Sequence, residues 1–256
     1  MSLRNVIYYN SNNDNISLYA FAQLPYTDVI IANLQPASAD DLTLVGQWGN
    51  AFADQLRDNI RLLQNAGKNV LISFGGAMND DKLTTAAYQS YARNVTGLVN
   101  QIVAFVNNYN FNGVDIDDED DAGFGNNAAY DGVAFLSALT SGLYQALPSG
   151  KNIITHAPAP DYWNSHSQFA RGGNAPYVQI WQNVGNQIAW FNNQFYDNGL
   201  DDAASKVTKY QAIAGITGPQ KQLLGALVGD PANYKDDTDT GYITLDDMTN
   251  NVIAPL

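Results

Sequence analysis

Three acidic side chains alternate with apolar ones in residues 111–119, which read Phe-Asn-Gly-Val-Asp-Ile-Asp-Asp-Glu. Side chains of a β-strand point alternately to its two faces, so Asp115, Asp117 and Glu119 are predicted to share one face. Alternate positions lie about 6–7 Å apart, and carboxyl groups that close cannot all ionise. At least one of them is therefore expected to keep its proton near neutral pH, as a catalytic proton donor must.

Clustered acids could also form a loop that binds calcium or magnesium, or a solvated turn. Val114 and Ile116 alternate with the acids as strand residues do, and this alternation disfavours a turn. We therefore interpret the segment as a strand that carries a catalytic row of acids. The other acids fall off the shared face or follow it and are interpreted as loop acids: Asp118, Asp120 and Asp121.

Composition favours a single barrel with a neutral partner. The chain has 256 residues, close to the roughly 250 of an α/β barrel, and no apolar run near the roughly 18 residues of a membrane span. A net charge of −13 argues against nucleic acid or an anionic membrane as partner, whereas a carbohydrate suits a chain with 15 Tyr and 4 Trp. Cysteine is absent, and His156 and His166 lack partners at ligand spacing, so we expect no metal site and no cofactor.

Strands and helices are predicted to alternate along the whole chain, which indicates βαβ units around a parallel sheet in one domain, residues 1–256. Functional sites of such a fold lie at the carboxyl ends of the strands, where Gly75, Gly76, Glu119 and Tyr196 fall. The predicted strands cover residues 5–9, 28–34, 69–74, 111–119, 152–157, 188–196 and 222–229. The predicted helices cover residues 17–24, 47–66, 88–109, 131–147, 203–214 and 241–256.

Residues 112–119 resemble the Asp-Gly-x-Asp-x-Asp-x-Glu signature of glycoside hydrolase family 18. Ser73-Phe-Gly-Gly76 is similar to the Ser-x-Gly-Gly motif on strand three of that family. Residues 188–197 resemble the strand-six segment that brings Gln and Tyr to the sugar. The family contains chitinases, endo-β-N-acetylglucosaminidases and inactive sugar-binding relatives on a TIM (β/α)8 barrel, and the resemblance extends over residues 5–243.

The sequence departs from the family pattern at two places. Asn112 stands where the signature has Asp, and it is expected to be a hydrogen-bonding position before the acidic row. Residues 241–256 are predicted to form the helix before strand eight, so the barrel is expected to end without that strand and its sugar-stacking Trp. A truncated chain, a seven-stranded barrel and a second chain over the gap all stay open, and an uncovered edge would favour self-association.

The resemblance implies a retaining mechanism in which the 2-acetamido oxygen of the substrate attacks the anomeric carbon. Glu119 would be the general acid and then the base for water. Asp117 would orient the acetamido N–H and share a proton with Asp115, while Tyr196 would donate a hydrogen bond to the acetamido oxygen. The expected partner is a glycan that contains N-acetylglucosamine, with neither nucleic acid nor a membrane involved.

Several further residues are candidates for substrate binding. Gln194 and Trp190 share the strand face of Tyr196, and Gln194 is the preferred polar contact. Trp163, Trp181 and Trp190 could each stack on a sugar ring or pack in the interior, and the sequence leaves both roles open. The remaining candidates lie near the ends of strands one and three, where the glycines would allow close backbone approach: Tyr8, Ser73, Gly75 and Gly76.

Three functions remain open at this point. A hydrolase of β-1,4 bonds beside N-acetylglucosamine is favoured, and within it the Asp-Asp-Glu ending and the Gly-Phe-Gly-Asn-Asn loop favour an endo-β-N-acetylglucosaminidase. The Gln-Phe-Tyr and Gly-Tyr-Ile-Thr stretches favour a chitinase instead. The alternatives are a sugar-binding protein without turnover and a metal-assisted phosphate-ester enzyme that uses the acidic row.

The beginning of the chain bears on where the protein works. Met1-Ser2-Leu3-Arg4 leads directly into the first predicted strand, without a signal peptide. These residues could stand in place of a removed leader, so we expect a secreted protein whose leader is absent from this sequence.

Overall fold

The computed structural model describes residues 4–10, 17–38, 41–44, 52–77, 83–199, 202–228 and 240–256. Seven strands pair in parallel in the order β1-β2-β4-β5-β6-β7-β8, and β3 pairs antiparallel with β2. The strands are β1 (Val6–Asn10), β2 (Asp28–Ser38), β3 (Asp41–Leu44), β4 (Asn69–Gly75), β5 (Gly113–Asp117), β6 (Ile153–His156), β7 (Trp190–Gln194) and β8 (Gln222–Gly225).

Helices follow most strands and cover the outer face of the sheet, so the fold is an incomplete parallel (β/α) barrel, as predicted. No helix in the described part of the chain is long and apolar enough to cross a membrane. The helices are α1 (Phe52–Asn65), α2 (Thr85–Arg93), α3 (Val95–Tyr109), α4 (Gly132–Ala146), α5 (Pro176–Val184), α6 (Ala203–Thr217) and α7 (Leu245–Asp247), which continues as a π-helix over Met248–Ile253.

Each strand places one set of side chains against the helices and the other in the barrel interior. On β4, Val70, Ile72 and Phe74 join the large outer core, whereas Leu71 belongs to a separate inner cluster with Ile30 and Trp190. Because these inner residues come from β4, β2 and β7, the sheet curves until strands far apart in its order face each other.

An ion pair and a cation–π contact close the floor of this interior. The Arg4 guanidinium lies 3.6 Å from the centroid of the Trp190 ring and donates to both carboxylate oxygens of Asp28 at 2.8 Å. Trp190 is 2% exposed, and its indole N–H donates to Asn192 at 2.8 Å. A planar guanidinium can stack and pair at once, so a charged group is accommodated beneath an apolar layer.

The helix predicted over residues 88–109 is two helices, α2 and α3, separated at Asn94. The Asn94 backbone N–H ends α2 by donating to Ser90 and Tyr91, while its side chain accepts from Gly97 and begins α3. An asparagine can satisfy the backbone groups at a helix end in this way. The apolar spacing continues through Asn94 without interruption, so it gave no sign of the break between the two helices.

The ends of the sheet differ from the prediction in two further ways. Strand β2 continues to Ser38 and turns back as β3, which the sequence analysis missed. The segment predicted as a helix over residues 241–256 becomes helical only at Leu245, and before it Ile243 forms an isolated parallel bridge with Val228, beyond β8. Pairing between β1 and β8 is absent from the described residues, and the predicted helical residues 47–51 lie outside them.

His156 is a buried neutral residue on the outer face of β6. Thr140 donates its hydroxyl to the Leu136 carbonyl at 2.6 Å, so His156 Nε2, 2.9 Å from the Thr140 oxygen, must be the donor to Thr140. The Tyr177 hydroxyl lies 3.3 Å from Nδ1 and donates to it. Burial lowers the pKa of His156 to about 3.

This depressed pKa gives the first prediction. Between pH 6.5 and about 3 the unfolded chain binds a proton at position 156 that the native chain does not, so stability falls as pH falls, by about 1.4 kcal/mol per pH unit. His156→Gln removes this slope, so its stability deficit relative to wild type shrinks between pH 7 and pH 4. Urea unfolding across that range measures it. His166→Gln, at an exposed position, is the control, and a deficit that stays constant with pH would contradict the assignment.

Candidate active site

Asp115 is the buried centre of the site and accepts hydrogen bonds from four strands. Tyr8 on β1 and Ser73 on β4 donate to Oδ2 at 2.9 and 3.1 Å. Thr155 on β6 and Asn192 on β7 donate to Oδ1 at 2.5 and 3.1 Å. Burial raises the pKa of Asp115, and these four bonds oppose the rise because they stabilise the charged form.

Asp117 lies above Asp115 on the same face of β5, as the alternation predicted. Gln194 at the end of β7 donates its amide to Asp117 at 2.8 Å and to Glu119 at 3.4 Å, so one side chain connects the two acids. Burial raises the pKa of Asp117 well above its usual range, and the Glu119 and Asp115 carboxylates add to the rise, while the Asn33 amide opposes it by hydrogen bonding.

Glu119 lies beyond the strand, because β5 ends at Asp117 rather than at residue 119. The pairing of β5 with β4 ends where Gly75 meets Asp117. Glu119 is half-buried, and burial raises its pKa, opposed by Gln194 and reinforced by the Asp197 carboxylate. All three acids of the row therefore have raised pKa values, in agreement with a site that retains at least one proton near neutral pH.

The two glycines after Ser73 allow β4 to pass close to the acids. Gly75 has φ +115°, and a Cβ there would lie 2.0 Å from the Asp117 carbonyl oxygen, which no side chain could tolerate. Gln35 fixes this turn by donating to the Gly75 carbonyl at 2.9 Å. Gly76 lies against the Asn33 side chain. The glycines thus position the Asp117 backbone.

Tyr8 lies on the edge strand β1, and Tyr196 follows β7, the strand next to the other edge of the sheet. The Tyr8 hydroxyl is bound to Asp115, although 38% of the residue remains exposed. Burial raises the pKa of Tyr8, with smaller contributions from Asp115, Asp117 and Tyr196, so Tyr196 lies within electrostatic range of the same hydroxyl. Tyr196 follows β7 at its carboxyl end and is half-buried.

None of the three described tryptophans is placed to stack on a sugar at the acidic site. Trp190, a predicted sugar contact, lies in the floor cluster under Arg4, because the inward face of β7 is apolar at its start and polar only from Asn192 onward. Trp163 is 5% exposed and donates to Asn193, and Trp181 packs partly buried on the outer core. The packing alternative holds for all three.

Two acids that the sequence analysis interpreted as loop acids are buried instead. Asp118 is 2% exposed and Asp120 is 3% exposed, and they face α2 and α4 rather than solvent. Asp121 is exposed, and its carboxylate accepts from the Tyr162 hydroxyl. In the part of the chain that the structure describes, no group of three or more His, Cys, Asp or Glu side chains is placed to hold a metal ion.

Comparison with known proteins decides the family. The model of the glycosyl hydrolases family 18 matches residues 4–246, which is nearly the whole chain. The chain belongs to this family. Its signature acids are Asp115, Asp117 and Glu119, and Asn112 at the first signature position accepts from Val70 N–H and from Gln64, both at 2.9 Å, so its expected hydrogen-bonding role is confirmed.

Solved structures of family 18 share the fold. A chitinase of this family from Pseudoalteromonas aurantia has 31% sequence identity and a TM-score of 0.86, with 99% of this chain and 89% of that chain covered. A fungal endo-β-N-acetylglucosaminidase has 20% identity and a TM-score of 0.72, with 99% and 85% covered. Chitinase D from Niallia circulans is 32% identical over 92 residues, which are 36% of this chain but only 17% of that protein.

The structure adds four residues to the candidate site that the sequence analysis missed. Thr155 and Asn192 bind Asp115, and Asn33 binds Asp117. Asp197 acts on Glu119 through its charge and accepts from the Thr240 backbone N–H. Thr155 and Asn192 are polar residues inside predicted strands and have the parity of Ile153 and Trp190, which face the barrel interior, so this parity was the available signal. Asn33 has the parity of the outward-facing Val29 and Ile31, and the register of β2 shifts after Ile31, so alternation along the sequence did not indicate that Asn33 faces the interior.

The Asp115 contacts give the second prediction. Thr155→Val keeps the side-chain shape but leaves one oxygen of a fully buried carboxyl without its shortest donor, which costs about 1–3 kcal/mol of unfolding free energy. The loss should be larger at pH 8 than at pH 5, because the donor stabilises the ionised form. Denaturant unfolding at both pH values measures it. Thr208→Val removes a hydroxyl that donates to the Ala204 carbonyl on exposed α6, and an equal loss there would contradict the prediction.

Proposed function

We propose that this chain is a retaining glycosidase that cleaves β-1,4 linkages next to N-acetylglucosamine, with Glu119 as general acid and base. The observation that carries this proposal is the Gln194 amide, which joins Asp117 to Glu119 at 2.8 and 3.4 Å at the open end of the interior. One acid is thus buried and fixed by hydrogen bonds, while its neighbour is half-exposed and can reach a ligand.

Protonated Glu119 would donate to the glycosidic oxygen as the bond to the anomeric carbon breaks. The 2-acetamido oxygen of the substrate would attack that carbon, which gives an oxazolinium intermediate. Asp117 would accept the acetamido N–H and stabilise the positive charge, and Tyr196 would donate to the acetamido oxygen. Glu119, now ionised, would take a proton from the incoming water, and net retention of configuration follows.

The donors around Asp115 support this assignment of roles. Four hydrogen bonds favour the charged form of Asp115, whereas Asp117 is surrounded by three carboxyl groups that raise its pKa. Because the two environments differ, the two carboxyl groups have different proton affinities, and the shared proton would reside on Asp117 in the free protein. It would pass to Asp115 when Asp117 accepts the acetamido N–H of the substrate.

Two substrates fit this chemistry, and the observations support them unequally. The chitinase from Pseudoalteromonas aurantia has 31% identity over nearly the whole chain, which supports β-1,4-linked N-acetylglucosamine oligomers as the first candidate. The Asp-Asp-Glu ending of the acidic row supports the chitobiose core of N-glycans, which the sequence analysis favoured. We place the oligomers first, because the endo-β-N-acetylglucosaminidase match rests on the fold alone.

A sugar-binding protein without turnover is the second candidate. The observation that favours it is the lack of pairing between β1 and β8 among the described residues, which leaves Tyr8 partly exposed beside the acids. Such a site could hold a sugar without the enclosure that excludes water from the reacting atoms.

A paired hydrolysis assay gives the third prediction. Wild-type protein is incubated with chitooligosaccharides and with a high-mannose glycopeptide, and products are resolved by mass. Glu119→Gln should lower the rate by about 10²–10⁴-fold while substrate binding is kept, because it removes only the transferable proton. Asp58→Asn, at an exposed position on α1, is the control for the loss of one negative charge.

Each outcome assigns a different function. Shortened oligomers indicate a chitinase, and a glycan released with one N-acetylglucosamine left on the peptide indicates an endo-β-N-acetylglucosaminidase. Binding without hydrolysis in wild type would replace the proposal with the sugar-binding alternative. A rate that survives Glu119→Gln, or one that a chelator abolishes, would contradict the assigned mechanism.

A further inference from the structure

Asp118 lies directly behind the acidic row and faces away from the barrel axis. It follows Asp117 and precedes Glu119, and its carboxyl is 2% exposed. Its Oδ1 accepts from the Asp120 backbone N–H at 3.1 Å, and its Oδ2 has no hydrogen-bond partner. A buried carboxylate with a free oxygen is costly, so this group requires an explanation.

Three other buried oxygens that lack a hydrogen bond of standard geometry lie around Asp118. The Tyr88 hydroxyl on α2 is fully buried, and the Tyr130 hydroxyl before α4 is buried as well. Asp120 accepts from the Thr85 hydroxyl at 2.9 Å with Oδ1, and the Tyr130 hydroxyl lies close to its carboxyl, although its Oδ2 accepts no hydrogen bond of standard geometry. Among the described residues, no Lys, Arg or His pairs with any member of this cluster, which consists of Tyr88, Asp118, Asp120 and Tyr130.

The two tyrosines are held tightly in place. Their rings stack in parallel, with centroids 6.4 Å apart and an interplanar angle of 2°. A Cβ at Gly123 would lie 2.7 Å from the Tyr130 ring, and one at Gly75 would lie 3.2 Å from the Tyr88 hydroxyl. Glycine at both positions therefore lets the hydroxyls lie close to the backbone beside the acids.

A single proton would satisfy most of this cluster. A neutral Asp118 is an O–H donor to a tyrosine oxygen, and that tyrosine can donate in turn to the free oxygen of Asp120. We propose that Asp118 is a positioning residue that holds a proton behind Glu119 and releases it to solvent at higher pH, placing a negative charge beside the catalytic acid. This inference rests on the proposed function for its effect on catalysis.

Burial and the neighbouring carboxyl groups favour the protonated form of Asp118, and one hydrogen bond opposes them. Burial raises the pKa of Asp118 to about 7, opposed by the Asp120 N–H and reinforced by the Asp120, Glu119 and Asp121 carboxyls. The Asp117 carboxyl also interacts with Asp118 through its charge, and the neutral hydroxyls of Tyr88, Tyr130, Tyr162 and Tyr177 face Asp118 as well. Ionised Asp118 repels the Glu119 carboxylate, so Glu119 keeps its proton to higher pH than it would alone.

The fourth prediction is therefore a shift in the pH dependence of catalysis. In Asp118→Asn the basic limb of kcat/KM should move down by about half a pH unit or more, which is a roughly threefold loss at pH 8. The rate at pH 5 and KM should stay near wild type. Asp246→Asn removes one negative charge on the exposed α7 and should not move the limb. Superimposed profiles of wild type and Asp118→Asn would overturn the proposal.

Thermal unfolding tests the held proton without any assay of activity. Between pH 3.8 and about 7, native Asp118 retains a proton that the unfolded chain has released, so its contribution to stability falls as pH rises. The Tm of Asp118→Asn minus that of wild type should therefore increase from pH 4 to pH 8. A constant difference would overturn the inference that native Asp118 holds a proton. Should Asp118→Asn not fold, Asp118→Ser serves, because its hydroxyl can still accept from the Asp120 N–H. An inactive wild type with this Tm dependence would refute the proposed function alone.

Discussion

The structure depends on accommodating one buried carboxyl group, that of Asp115. A carboxylate in the centre of a barrel is tolerated only if its oxygens are hydrogen-bonded, and here four donors meet it from four strands. A register shift of one residue in any of these strands would turn its donor outward and leave Asp115 unsatisfied. The same bonds therefore fix the strand registers and orient the acidic row.

The interior changes character along the strand direction. The starts of the strands contribute the apolar floor, with Arg4 stacked beneath Trp190 and bound to Asp28. The middle contributes hydroxyl and amide donors, and the carboxyl ends contribute the acids. The charged groups of the floor pair with each other and Asp115 is held by four donors, whereas Glu119 lies where the barrel opens, where a ligand and water can share the cost of desolvation. Position along each strand determines whether a residue packs or reacts.

Sequence reasoning succeeded where local periodicity decides the outcome. The alternation in residues 111–119 placed Asp115 and Asp117 on one face, and each of the seven predicted strands has an observed strand within or overlapping it, although β3 and α5 were not predicted. It failed where distant elements decide. Trp190 and Gln194 lie on the same face of β7, but Trp190 lies in the apolar floor of the interior and Gln194 lies beside Asp117. How far along the barrel each position of a strand falls depends on the stagger of the neighbouring strands. Parity also placed Asp118 away from the row, but only the packing of α2 and α4 shows that it is buried.

Glu119 is the only glutamate in a chain with 25 acidic residues. Aspartate serves at Asp115 and Asp117, where the backbone is held by strand pairing and a short side chain places its carboxyl reproducibly. Past the end of β5 the backbone leaves the sheet. The side chain of Glu119 has one methylene more than an aspartate, and this extra length lets its carboxyl reach back toward Gln194. The longer side chain also has more conformational freedom, which would suit the proposed general acid and base, since that group would meet first a glycosidic oxygen and then a water. Rigid short acids behind one longer acid are therefore the arrangement that this backbone geometry requires.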